Sequence, residues 1–220
     1  MLNVLKAIPS PRLGTICYQF FSSLHICEQT IETITMGKVP LHFENDPKEQ
    51  EMVANVFGLV SAQAFKDPSV WGQKLLGLGE VAGCNMHDVY PTMAFKIHTQ
   101  DWMKNLMGAV HGGCVVTMVD NYTTWALLSD ARYWKTFDPA KENYTDILTA
   151  VVDEFGVSRN LNVTFLRPVP IDADILLICR IQSNSTRYTH ITFEILDCNT
   201  GKQLATGSHD KAKTNAKSKM

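Results

Sequence analysis

The chain has 220 residues, 45% of them hydrophobic, and a formal net charge of −2 at pH 7. This length is enough for one ordinary domain with an extension, and the balanced charge gives no broad basic surface for nucleic acid. No segment approaches the roughly 18 consecutive apolar residues that a spanning helix needs, so no membrane span is expected. The six cysteines lack metal-binding spacing, so neither a metal nor a cofactor is expected.

The first 27 residues contain no Asp or Glu, but they contain Lys6, Arg12 and several Ser and Thr between apolar stretches. This composition is typical of a mitochondrial presequence. The sequence therefore predicts a mitochondrial matrix protein, with a cytoplasmic protein as the alternative. Residues 1–45 are interpreted as an N-terminal extension.

A helix is predicted next, from Asp46-Pro47 to about Phe65, because apolar residues recur there at helical spacing. We expect residues 46–90 to form a helical N-terminal segment. The role of its glycine-rich end, Gly72 to Gly83, does not follow from the pattern.

A first strand is predicted from Met93 to Thr99, followed by a long helix from about Gly112 to Ala131. Apolar residues surround most of this helix, as in helices that are buried. Asp120 lies in its middle, and an isolated buried carboxylate is costly, so a functional role for Asp120 is favoured. A polar connection, Tyr133 to Asp146, follows the helix.

The remaining sequence alternates with period two, which predicts strands at 160–165, 175–181, 189–195 and 203–209. One strand, one long helix and then a run of antiparallel strands predict an α+β fold in which a sheet wraps around a central helix. The domain is expected to span residues 91–212, with a basic tail at 213–220.

The start of the long helix has features of a catalytic site. Gly112 and Gly113 allow close approach of a substrate, and the first-turn N–H groups of a helix can stabilise an oxyanion. Asp120 can act as a general base or as a nucleophile. Gly112 and Asp120 are eight residues apart, which is about 12 Å along a helix. If both groups act on one carbonyl, Asp120 must therefore come from a partner chain.

The string N-x-x-G-x-x-H-G-G-x(6)-D, from Asn105 to Asp120, resembles the PaaI-like hotdog-fold acyl-CoA thioesterases, in particular the acyl-CoA thioesterase 13 type. The resemblance covers roughly Met93 to Lys211. It includes the segments Gly156 to Pro168 and Thr200 to Gly207.

The resemblance implies a hotdog fold, hydrolysis of acyl-CoA to free acid and coenzyme A, and a homodimer or dimer of dimers. Asn105 and His111 would position the thioester and the helix start, and Gly112 would supply the oxyanion N–H group. Asp120 of the partner chain would act on the substrate, and Ser158 would hold the attacking water.

The resemblance also implies that coenzyme A is bound by backbone and basic groups. The candidate substrate-binding residues are Gly113, Arg167, Arg187 and Lys211. The connection at 133–146 and the long N-terminal segment depart from the family pattern, so acyl-chain specificity does not carry over.

Three other interpretations of these residues differ in the chemistry that they require. A hotdog acyl-CoA dehydratase or hydratase would use a His as its base, and a non-catalytic acyl-CoA-binding subunit would not need the full set of site residues. A Cys114–His nucleophile pair is disfavoured, because an apolar helix raises the pKa of a thiol.

Overall fold

The computed structural model describes residues 46–66, 69, 71–135, 152 and 155–213. The predicted presequence, most of the 133–146 connection and the tail beyond Lys213 lie outside these residues, so the expectations for them stay predictions. None of the described helices is both long enough and apolar enough to cross a membrane.

Helix α1, Pro47–Lys66, begins where the sequence predicts. Asp46 accepts a hydrogen bond from the backbone N–H of Lys48 at 2.9 Å, and Pro47 occupies the first helical position, a common combination at helix starts. One side of α1 enters the core, where the ring of Phe57 lies 5.2 Å from that of Phe95. A short helix, α2 (Gln73–Leu76), follows.

The long predicted helix is α3, Gly112–Trp125. It ends earlier than expected, and 3-10 turns at Ala126–Ser129 and Ala131–Trp134 continue the chain. The second of these turns begins at Asp130, whose side chain accepts from the backbone N–H of Arg132 at 3.0 Å. This cap starts a new turn and so separates the second segment from the helix.

Six strands form one antiparallel sheet in the order β1-β2-β4-β5-β6-β3. Their bounds are β1 Gly79–Asn85, β2 Thr92–His98, β3 Val157–Phe165, β4 Asp174–Asn184, β5 Tyr188–Asp197 and β6 Gln203–Ala212. The sheet wraps around α3 and confirms the predicted hotdog fold.

Strand β1 corrects the expectation that residues 46–90 are helical throughout. It pairs with β2 and contains a register shift between Val81 and Gly83. Small residues and this irregularity remove the alternation by which a strand is recognised. The sheet therefore begins before residue 91, where the domain was expected to start.

The core lies between the concave face of the sheet, α1 and α3. Val115, Met118, Val119 and Tyr122 of α3 are fully buried. The Tyr122 hydroxyl donates to the carbonyl of Leu75 at 2.6 Å. Because that carbonyl belongs to α2, the bond fixes the α2 segment along α3.

The packing of β6 on β3 generates a stability prediction. A Cβ atom on Gly207 would collide with the carbonyl of Asn162 on β3 and approach the ring of Phe193 to 2.8 Å. We expect Gly207→Ala to lower the free energy of unfolding by about 1–3 kcal/mol, because the strand cannot move aside without breaking its pairing. Urea denaturation measures this change.

Gly58→Ala is the matched control, because a Cβ atom there meets nothing within 4 Å. In α1 this substitution should stabilise the protein by about 0.5–1 kcal/mol through helix propensity. Equal stability of the two variants would contradict the close β3–β6 contact.

Candidate active site

The start of α3 is fixed by His111. Its backbone N–H donates to Met103 O at 2.7 Å, and its side-chain Nδ1 accepts from the N–H of Gly113 at 3.0 Å. Its carbonyl accepts from the N–H groups of Cys114 and Val115 at 2.9 and 3.1 Å. His111 is therefore the N-cap residue of the helix, which agrees with its predicted role at the helix start.

These bonds leave one donor of the first turn unused. Gly113, Cys114 and Val115 all donate to His111, whereas the N–H of Gly112 has no hydrogen-bond partner among the described residues. The group lies at the positive end of the helix dipole. It is thus available to a developing negative charge, as the sequence predicts for Gly112.

Asn105 organises the loop before the helix. Its Oδ1 accepts from the backbone N–H groups of Met107 and Ala109 at 2.8 and 3.2 Å. Gly108 closes the loop with a positive φ of 78°. The side-chain oxygen of Asn105 thus holds the loop, and its amide Nδ2 has no hydrogen-bond partner within the described part of the chain.

Asp120 lies about two turns along α3 from Gly112. Its Oδ1 accepts a hydrogen bond from the Ser158 hydroxyl at 2.7 Å, and its side chain is 45% exposed. The expectation of a buried carboxylate is therefore wrong for the single chain. One side of α3 is not covered by the sheet, and Asp120 opens onto it. The structure does bring Asp120 and Ser158 together.

His209 is a site residue that the sequence analysis missed. Its side chain is fully buried on β6, and Nε2 lies 3.5 Å from Asp120 Oδ1. The other ring nitrogen, Nδ1, lies 2.7 Å from the hydroxyl of Thr123. The period-two alternation of the last strand could have identified it, because His209 falls on the same face as the buried Ala205.

The contacts of His209 join it to α3 on both sides of the ring. The hydroxyl of Thr123 donates to Val119 O at 2.6 Å and lies 2.7 Å from His209 Nδ1, so Nδ1 can donate to it when that nitrogen carries the hydrogen. Burial, followed by the nearby Lys211, lowers the pKa of His209 to about 4, so the ring is neutral at pH 7. Nε2 is buried and has no hydrogen-bond partner within the described part of the chain, and Asp120 Oδ1 lies 3.5 Å from it.

Lys211 lies on the same face of β6. It is only 3% exposed, and its ammonium donates to the Thr124 hydroxyl at 2.9 Å. The last strand continues to Ala212, beyond the predicted end at His209, and this extension carries Lys211 under α3. Lys211 therefore lies beside the Asp120 region, in the interior of the chain.

The other predicted substrate-binding residues do not join this cluster. Arg167 follows β3 and donates to the carbonyl of Gln203 at 2.6 Å. Arg187 lies in the β4–β5 turn, where its carbonyl accepts from Lys213 N at 2.9 Å. Both arginines are exposed, and their predicted contact with coenzyme A stays a prediction. Burial raises the pKa of the Cys114 thiol, which further disfavours it as a nucleophile.

A cavity of about 360 Å³ lies elsewhere, between the start of α1 and the loop after β1. It contains none of the predicted site residues. Its lining consists of Asp46, Lys48, Glu49, Met52, Met86, His87, Ala131, Trp134 and Lys135. The Asp120–Ser158 pair instead opens on the uncovered side of α3.

A six-stranded antiparallel sheet wraps around one long helix, which has a glycine-rich start and a carboxylate two turns later, as expected for the hotdog fold. The family model of the thioesterase superfamily matches residues 107–202, which is less than half of the chain.

The chain is also similar to individual proteins that are named thioesterases. Human acyl-coenzyme A thioesterase 13 is 27% identical over 107 residues, which are 49% of this chain and 62% of that protein. The structure of zebrafish thioesterase superfamily member 2 matches with a TM-score of 0.56 at 20% identity, over 73% of this chain and 97% of that chain. The mouse thioesterase superfamily member 2 structure matches with a TM-score of 0.53 at 19% identity, over 72% and 96% of the two chains. At such identities the two structures support the fold alone.

The capping role of His111 can be tested by stability. His111→Ala removes the acceptor for the Gly113 N–H, so we expect the free energy of unfolding to fall by about 1 kcal/mol. His111→Asn retains a side-chain acceptor at the N-cap and should remain within a few tenths of a kcal/mol of the wild type. Thermal or urea denaturation gives both values, and equal losses for Ala and Asn would contradict the capping role.

Proposed function

We propose that the protein hydrolyses acyl-CoA thioesters to a free acid and coenzyme A. The observation that carries the proposal is the combination of an uncommitted Gly112 N–H at the start of α3 with the Asp120–Ser158 pair about two turns along the same helix. The first group suits the oxyanion of a tetrahedral intermediate, and the second suits a water molecule that must lose a proton.

The reaction balances with these groups alone. Ser158 donates its proton to Asp120 Oδ1, so its oxygen lone pairs can accept from the attacking water. Asp120 takes one proton from that water as the new C–O bond forms, and the carbonyl oxygen becomes an oxyanion at the Gly112 N–H. Collapse of the intermediate breaks the C–S bond, and Asp120 returns the proton to the leaving thiolate. The Ser158 bond occupies one carboxylate oxygen, which favours the base role over the nucleophile role.

The two histidines near the helix offer little support for a dehydratase. Such an enzyme needs an imidazole that reaches a carbon of the acyl chain. His111 Nδ1 is engaged at the helix cap, and His209 is fully buried and held by Thr123. Hydrolysis remains the reaction that the arrangement supports best.

The proposal includes a homodimer with shared sites. Strand β3 lies at the end of the sheet and pairs only with β6 among the described strands. Val157 and Phe165, at its two ends, are 54% and 50% exposed. An unpaired strand edge of this kind is a template for another strand.

Pairing of β3 with β3 of a second copy about a two-fold axis would place two copies of α3 side by side and antiparallel. The helix start of one chain would then face Asp120 of the other. This arrangement resolves the separation of about 12 Å along one helix, and each chain contributes to both sites.

The first test is a thiol-release assay over acyl-CoA substrates of increasing chain length. Asp120→Asn keeps the shape of the side chain but cannot accept a proton, so hydrolysis should fall by about two to four orders of magnitude. Asp101→Asn is the control, because Asp101 is a carboxylate at the surface, paired with Lys104, and its loss should leave turnover unchanged.

Near-normal turnover of Asp120→Asn would remove Asp120 from the mechanism. Acyl-CoA binding without thiol release in the wild type would favour a non-catalytic binding subunit, and hydration of an enoyl-CoA without thiol release would favour a hydratase.

The shared site is tested with two inactive variants. Gly112→Pro removes the proposed oxyanion N–H at a helix position that tolerates proline, and His111 already has the extended backbone, ψ 134°, that precedes a proline. Loss of this donor should lower turnover by about 10²–10³-fold. Gly112→Ala keeps the N–H and meets Phe165 only at an ordinary 3.4 Å, so it should stay active.

Heterodimers of Gly112→Pro with Asp120→Asn, purified through two different tags, contain one doubly damaged site and one intact site. We expect them to recover about half of the wild-type activity per dimer. Verified heterodimers that stay inactive would mean that each chain builds its own complete site.

A further inference from the structure

Lys211 is the most deeply buried cation near the proposed site. It is 3% exposed, and its ammonium has one hydrogen-bond partner among the described residues, the Thr124 hydroxyl at 2.9 Å. Within the described part of the chain, no carboxylate lies at ion-pair distance from it. A buried charge with so little direct compensation is costly, so its position requires another explanation.

The groups that face Lys211 come from three neighbouring elements. In the strand pairing it lies opposite Ser158 on β3 and opposite Thr189 on β5, which both present hydroxyl groups. His209, two positions earlier on β6, is neutral at pH 7. Helix α3 contributes the one negative charge that acts on the ammonium, that of Asp120.

A hydrogen-bonded chain also connects the two charged residues. Lys211 donates to the Thr124 hydroxyl, and that hydroxyl donates to the backbone carbonyl of Asp120 at 2.7 Å. The Ser158 hydroxyl, which binds the Asp120 carboxylate, belongs to the residue paired with Lys211. These contacts place the ammonium beside the helix turn that carries Asp120 and opposite the residue that binds its carboxylate.

We propose that Lys211 is a positioning residue of the acyl-CoA thioesterase site, whose buried ammonium is the fixed countercharge that keeps Asp120 ionised. The inference rests on the proposed function and gives Lys211 a role other than contact with coenzyme A. Asp120 is partly exposed in the single chain, but a substrate and a partner chain would displace water from it. Loss of water favours the neutral form of a carboxyl group, and a nearby cation opposes that change.

The effect is reciprocal. Burial lowers the pKa of Lys211 to about 8, and the charge of Asp120 opposes that lowering. At pH 7, which is below this pKa, the ammonium is mostly protonated. When Asp120 takes a proton, the ammonium loses its compensation, which favours return of that proton to the leaving group.

The first experiment measures the two charges without substrate. Protein labelled with ¹³C at lysine Cε is titrated by NMR, and the Lys211 signal is assigned with Lys211→Arg. We expect Lys211 to titrate near pH 8, well below exposed lysines at about 10.4, and to titrate lower still in Asp120→Asn. A Lys211 midpoint that does not change in Asp120→Asn would overturn the coupling.

The second experiment is the pH profile of kcat. In Lys211→Met the acidic limb should move up by about one pH unit, so turnover falls about tenfold at acidic pH and approaches the wild type above the limb. Lys202→Met, at an exposed lysine in the β5–β6 turn, should leave the profile unchanged. Lys211→Arg retains a cation and should keep the wild-type limb.

Together, the two experiments distinguish a failure of the Lys211 inference from a failure of the proposed thioesterase function. A uniform loss of turnover at every pH in Lys211→Met would mean a merely structural role and would overturn the proposal. If the wild type hydrolyses no acyl-CoA, the proposed function fails, and the NMR titration still decides whether Lys211 and Asp120 are coupled. A titration of Lys211 near that of exposed lysines would overturn the inference even in an active thioesterase.

Discussion

The sheet and α1 enclose helix α3 on most of its circumference. The candidate site residues of α3 lie on the side that neither of them covers. Successive residues of a helix advance by about 100°, so a fixed set of positions falls on one side. Gly113, Thr117, Asp120, Asn121 and Thr124 form that side, and none of them is fully buried. The buried residues between them, Val115, Met118, Val119, Tyr122, Thr123 and Trp125, face the core. The same packing that stabilises the domain therefore aligns the helix start, the carboxylate and Thr124 in one row.

Different segments of the chain contact the two edges of the uncovered side of α3. On one side, Gly72 adopts a positive φ of 72° and packs against Thr117 and Asn121, so that a Cβ atom there would come within 2.7 Å of Thr117. On the other side, β3 brings Ser158 to Asp120, and β6 places His209 and Lys211 underneath. The open side of α3 is therefore flanked by the Gly72 segment, by β3 and by β6.

Much of the fold could be predicted from the sequence because its signals are local. The Asp46-Pro47 start of α1 and the alternation in β3 to β6 depend on a few neighbouring residues. Strand β1 could not be predicted, because glycines and a register shift disrupt its alternation. The exposure of Asp120 could not be predicted either, since it depends on which side of α3 the sheet leaves uncovered, a property of the complete domain.

Some residues of the candidate site could likewise be predicted from the sequence, and others could not. Asn105, His111, Gly112 and Asp120 lie within 16 consecutive residues, so their spacing carries a readable pattern. His209 and Lys211 are about 90 residues further along the chain, and they reach Asp120 only because β6 runs beneath α3. A lysine near a basic tail is ordinarily interpreted as a surface charge, and only the three added residues of β6 turn Lys211 inward.

The two basic residues of β6 near Asp120 differ in charge. They are two positions apart and so project from the same face of the strand, about 7 Å from each other. Burial lowers the pKa of His209 to about 4, so this ring adds no charge at pH 7. Burial also lowers the pKa of Lys211, but only to about 8, so its ammonium keeps a charge there. The alternation of one strand therefore places a neutral group and a cation on the same side of Asp120, and in the proposed mechanism only the cation would act as its countercharge.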